Sequence, residues 1–128
     1  MHDIKKLPAS PGLARRLLAF SQLNHMNFGG DLVDLAMKDL LSPGDFEAFP
    51  YSIDAGQLSA VQYVRDWEGR AMLLSGKSGR ARHVALAHAW LSGGRTLIMT
   101  RPEFYADWAK WVKNIWPDSN LSVFGNPR

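Results

Sequence analysis

The residues able to do chemistry cluster between Ser75 and His83. Gly76 and Gly79 permit turn conformations, Lys77, Arg80 and Arg82 supply cations, Ser78 a hydroxyl and His83 an imidazole. The apolar run Ala71-Met72-Leu73-Leu74 leads in, and a helical pattern leads out. A strand, a glycine turn and a helix in that order aim backbone N–H groups at an anion, as phosphate-binding turns do. Gly76-Lys77-Ser78 also matches the end of G-x-x-x-x-G-K-[ST]. That frame needs a first glycine where Ala71 stands, inside the apolar run, so the match is read as coincidence. The chemistry expected is anion binding by Gly76, Lys77, Ser78, Gly79, Arg80, Arg82 and His83.

Charge points the same way. The net formal charge is only +3, but no Asp or Glu lies between Gly69 and Pro102. That interval holds Arg70, Lys77, Arg80, Arg82, Arg95 and Arg101. A local basic patch attracts phosphates, which makes Lys77, Arg80, Arg82, Arg95 and Arg101 the candidate nucleic-acid contacts. The alternative is a solvated face whose counter-charges lie elsewhere in space. No Ser-His-Asp set and no metal-spaced histidine cluster occurs, and His25 reads as a surface residue of a loop. Cysteine is absent, which excludes disulfides and thiolate zinc sites and suits a reducing cytoplasm. No apolar run reaches the roughly 20 residues a membrane span needs, and the N-terminus shows no signal-peptide pattern.

The elements that must position these residues follow from periodicity. Leu13, Leu17, Phe20 and Leu23 predict a helix over 12–23. Asp31 caps a second helix carrying Leu32, Leu35, Ala36 and Leu40, stopped at Ser42-Pro43-Gly44. Phe46, Phe49 and Tyr51 lie in a connector that packs on the later core. Asp54 caps a helix reaching Asp66 with Leu58, Val61 and Val64 inward. Met72-Leu73-Leu74 and Thr96-Leu97-Ile98-Met99-Thr100 read as buried strands, and Leu121-Ser122-Val123-Phe124 as a third. Between them fall a helix over 81–91, ended by Gly93-Gly94, and an amphipathic helix carrying Phe104, Trp108, Trp111, Val112 and Ile115. Trp108 and Trp111 are read as core residues rather than stacking platforms. This alternation predicts an α/β fold, a small parallel sheet of about three strands flanked by helices, preceded by a helical extension over 1–50.

From Tyr51 to Gly125 the chain resembles the start of the first RecA-like lobe of superfamily-two helicases, most closely the Swi/Snf group of DNA-translocating ATPases. Ala55-Gly56-Gln57-Leu58-Ser59-Ala60-Val61 resembles the segment P-Y-Q-x-x-x-V, whose glutamine reads adenine, so the resemblance adds Gln57 to the nucleotide-site candidates. Arg70 to Leu74 resembles the first strand, and Ser75 to His83 lines up with A-D-E-M-G-L-G-K-T. Leu97-Ile98-Met99-Thr100-Arg101-Pro102 resembles the strand and loop that face nucleic acid. Trp108 and Trp111 stand on a helix like the N-W-x-x-E segment, and Trp116-Pro117-Asp118 and Val123-Phe124-Gly125 resemble the approach to the third strand. The resemblance implies a partial RecA-like, three-layer domain over 51–128. The catalytic residues are replaced: the family's phosphate lysine falls on Arg82, its magnesium hydroxyl on His83, its second loop glycine on Ala81 and its acidic pair on Gly76 and Lys77. Arginine does not substitute for lysine in a phosphate cradle, and imidazole is a poor ligand for magnesium. The later Asp-Glu motif and the second lobe have no counterpart here.

The expectation is therefore a non-catalytic, truncated helicase-like domain, of a kind suited to a phage or mobile element. It would bind DNA or a DNA-associated complex through the basic face, with no cofactor beyond weak nucleotide or phosphate binding. Two other readings stand beside it: a protein-interaction module docking on a partner ATPase or on itself, and a fragment of a split or longer DNA-dependent ATPase. All place the chain in the cytoplasm without a membrane partner.

Overall fold

The computed structural model describes residues 10–23, 30–68, 70 and 79–122. These form five α-helices, α1 (Pro11–Leu23), α2 (Gly30–Ala36), α3 (Ala55–Asp66), α4 (Arg80–Ser92) and α5 (Tyr105–Ile115), with short 3-10 turns at Pro43–Phe46 and Pro102–Phe104. Among the described residues there is no strand and no sheet.

The expected α/β, RecA-like three-layer arrangement is therefore incorrect, and the fold is helical. The strand expected at Thr96–Thr100 is irregular chain, and none of residues 95–100 shares a backbone hydrogen bond with another described residue. A strand is stable only when a neighbour completes its ladder. The apolar run is also not buried on both sides: Ile98 packs on the core, while Leu97 and Met99 are 78% and 88% exposed. A run that is apolar on its outward positions too reads the same in sequence as a doubly buried strand. Leu121 and Ser122 are irregular as well. The strand expected at Met72–Leu74, and Val123 and Phe124 of the expected third strand, lie outside the described residues.

The helices form where periodicity places them. At α3 the side chain of Asp54 accepts the Gln57 N–H at 2.8 Å, and the Gln57 amide oxygen accepts the Asp54 N–H at 3.0 Å. This reciprocal cap satisfies two donors that a helix start leaves free. Val61 is buried in one core with Val84, Leu86 and Ala87 of α4, and Val64 is buried as well. On α5, Val112 and Ile115 are buried and Trp108 and Trp111 pack partly buried on the same core. Phe104 leaves that stripe because it belongs to the 3-10 turn, not to α5, and it is exposed. Phe46 and Phe49 of the connector are buried in this core and meet the Trp90 ring at centroid distances of 6.0 and 5.5 Å.

A second, smaller core joins Ala14 of α1 to Leu32 and Ala36 of α2. The second helix begins at Gly30 and ends at Ala36, so Asp31 lies in its first turn instead of capping it, and Leu40 falls beyond it, exposed. Arg15 ties this hairpin to the main core. Its guanidinium grips both carboxylate oxygens of Asp66 at 2.7 Å and donates to the Ala36 and Lys38 carbonyls at 3.0 and 2.7 Å. Four bonds in the planar guanidinium fork fix α1, the end of α2 and the end of α3 in one geometry. Among the described residues no helix is long and apolar enough to cross a membrane.

Candidate functional site

The expected anion site centres on the start of α4. Gly79 precedes this helix with φ of 68°, in the left-handed region that glycine reaches without steric penalty. A Cβ at Gly79 would come within 3.3–3.4 Å of the Arg82 guanidinium, so Arg82 folds back beneath the turn. From there its guanidinium lies 3.6 Å from the centroid of the Trp111 ring. A guanidinium over an indole face is a cation–π contact. Its Nε is buried with no hydrogen-bond partner, so this atom is held by packing alone.

Its neighbours are engaged as well. Arg80 donates to the Asp54 carboxylate at 2.7 Å. The Arg80 hydrogen bond, followed by the Gln57 N–H, holds the Asp54 carboxyl below its usual range, and Asp54 in turn raises Arg80. Gln57 is buried; its amide nitrogen reaches the Arg80 carbonyl at 3.4 Å while its oxygen completes the α3 cap. The side chain expected to read adenine is thus occupied by two helix starts. His83 stacks on Tyr51, centroids 5.0 Å apart and planes 13° from parallel, and the Tyr51 hydroxyl accepts from the Asn114 amide at 3.1 Å. Burial, then repulsion from Arg82, lowers the His83 pKa. The stack on Tyr51 gives this imidazole a packing role. Gly76, Lys77 and Ser78 lie outside the described residues.

The remaining cations of the expected nucleic-acid face are spread along one segment. Arg101 pairs with Glu103 at 2.9 Å on the surface. Arg95 is exposed and lines an open cleft of about 680 Å³ together with Arg82. The walls of that cleft are mostly apolar, with Val64, Ala81, Ala85, Ala89 and Trp108 beside Leu97, and it has no carboxylate among its lining residues. Trp108 meets Trp111 edge-on at 5.1 Å, so one tryptophan faces the cleft while the other carries Arg82. The structure therefore joins Arg82 and Arg95 in one cleft, pairs Arg80 with Asp54 on the surface, and draws Gln57 and His83 into internal contacts.

Two features have no clear signal in sequence. The Arg82–Trp111 and Tyr51–His83 contacts join residues far apart in the chain, and no local pattern pairs them. The outward Leu97 and Met99 are different, because spacing by two is visible, but only their exposure in the fold shows that this side faces solvent. Among the described residues no group of three His, Cys, Asp or Glu side chains could hold a metal ion. No family model, curated protein or solved structure matches this chain.

Proposed function

We propose that this chain is a non-catalytic protein-interaction module whose docking surface is the Arg95–Arg101 segment and the cleft beside it. The observation that carries this reading is the outward pair Leu97 and Met99 on a segment with no backbone partner among the described residues. A single exposed apolar side chain is ordinary. Two large ones spaced by two, next to an apolar cleft and on unpaired backbone, form a surface that gains by being covered.

Arg82 and His83, the cation and imidazole of the expected anion site, are both committed to contacts within the chain, with Trp111 and Tyr51. On this reading the chain acts by binding, in the reducing cytoplasm that a cysteine-free sequence suits. The test is affinity capture with the native chain and with a L97S/M99S chain, each first shown to be folded by circular dichroism. A partner retained by the native chain and lost by the double variant is expected. Equal retention by both would overturn the reading.

A second reading, nucleic-acid binding, is favoured by the exposed Arg95 in a cleft with no carboxylate among its described lining residues. It expects retardation of duplex DNA that weakens steeply with salt and with charge reversal at Arg95 and Arg101. Absence of retardation at low salt would exclude it.

A further inference from the structure

We propose that the occupant of the Arg95–Arg101 segment is an extended, strand-forming stretch of a partner protein, apolar at its centre and carrying a carboxylate at each end. This rests on the interaction-module reading above and names the chemistry of its partner.

Residues 95–100 leave their N–H and C=O groups without a described backbone partner, and side-chain exposure alternates over 97–100. Leu97 and Met99 point outward, whereas Ile98 and Thr100 are half buried. Alternation with period two is the arrangement a neighbouring strand reads, through main-chain hydrogen bonds for affinity and alternate side chains for specificity. Leu97 and Met99 would meet apolar side chains at the facing positions of the added strand.

Charge selects among occupants. Arg95 and Arg101 bracket the segment, both exposed; Arg101 already pairs with Glu103 at 2.9 Å, a surface contact that a carboxylate of the added strand would share or replace. Carboxylates at the two ends of an added strand would lie opposite them. A second copy of this chain fits less well. Antiparallel pairing of the segment with itself, in the register that sets Leu97 against Met99, also sets Arg95 against Arg101, and like charges directly opposite are destabilising. Single-stranded nucleic acid would meet the arginines, but Leu97 and Met99 are aliphatic and offer its bases no stacking face.

The probe is the synthetic peptide Glu-Thr-Val-Ile-Val-Thr-Glu, which reads the same in both directions and so suits parallel or antiparallel addition. Titration into the 15N-labelled chain is expected to shift the amide signals of residues 95–101 saturably. A peptide with proline at its centre, which lacks the central N–H, is expected to bind at least tenfold more weakly, and so is a peptide ending in lysines. An R95E/R101E chain should reverse that charge preference. Absence of binding by the glutamate peptide, equal binding by the lysine peptide, or a dimer of the free chain in sedimentation would each overturn the inference. If the peptide fails while capture of a partner still depends on Leu97 and Met99, the inference falls and the interaction-module reading stands; if both fail, both fall.

Discussion

The guanidinium of Arg82 lies 3.6 Å from the centre of the Trp111 ring, fastening the first turn of α4 to the middle of α5. A cation that caps an indole inside the fold is not presented to a phosphate. Loss of Arg82 is therefore expected to register first in stability. Arg82→Ala removes the cation–π contact and the packing of the side-chain stem, and should cost about 1–2 kcal/mol. Urea unfolding followed by tryptophan fluorescence measures this and reports the altered environment of Trp111. A fully stable Arg82→Ala chain would show that the contact carries no weight.

The Arg15–Asp66 pair makes a larger prediction. The side chains of Arg15 and Asp66 are only 17% and 8% exposed, and Arg15 also satisfies two backbone carbonyls. Removing one partner strands a charge in a poorly solvated place, which costs about 3–5 kcal/mol. Arg15→Ala and Asp66→Ala should each destabilise by roughly that amount in equilibrium unfolding. The double replacement R15M/D66L should be less harmful than the two single changes added together, because no charge is left unpaired.

Acid should weaken the fold in two separate windows. Burial lowers the pKa values of His83 and His88, with Arg82 and Arg65 as the secondary causes. In the unfolded chain these imidazoles protonate near pH 6.5, while the folded chain resists protonation to lower pH. The unfolded state then binds more protons, so stability falls as pH drops below about 6.5. Asp54 is lowered too, first by its bond to Arg80, so its contribution is lost below the ordinary carboxylate value of about 3.9. His83→Phe keeps an aromatic ring against Tyr51 but cannot titrate. Thermal unfolding from pH 7.5 to 5 should show a shallower loss for His83→Phe than for the native chain. Identical slopes would place the titration elsewhere.

These residues also show how far the sequence could be read. Asp54 as a helix cap, the inward Val61 and Val64, and the stripe of Trp108, Trp111, Val112 and Ile115 were legible, because capping and helical spacing are local rules. Strand against coil was not. Leu97-Ile98-Met99 satisfies the pattern of a buried strand, and only the absence of a ladder partner among the described residues decides otherwise. The candidate site was half legible. Gly79, Arg80, Arg82 and His83 do gather at one helix start, but Asp54, Trp111 and Tyr51 arrive from distant positions and engage those side chains, Arg80 in a surface pair and Arg82 and His83 against aromatic rings. Composition can place a cation in a stretch of chain without saying which acid or ring will claim it.

The central claim is that the Arg95–Arg101 segment is left open for a partner. Hydrogen–deuterium exchange of the isolated chain tests it most directly, using the amides of Thr96, Leu97, Ile98, Met99 and Thr100. Unpaired, solvent-facing backbone exchanges close to the rate of an unstructured peptide. The account predicts such rates for these amides while the interior amides of α3 and α4 remain protected. Protection of residues 96–100 comparable to that of α4 in the isolated chain would contradict it, because the segment would already have its partner within the fold.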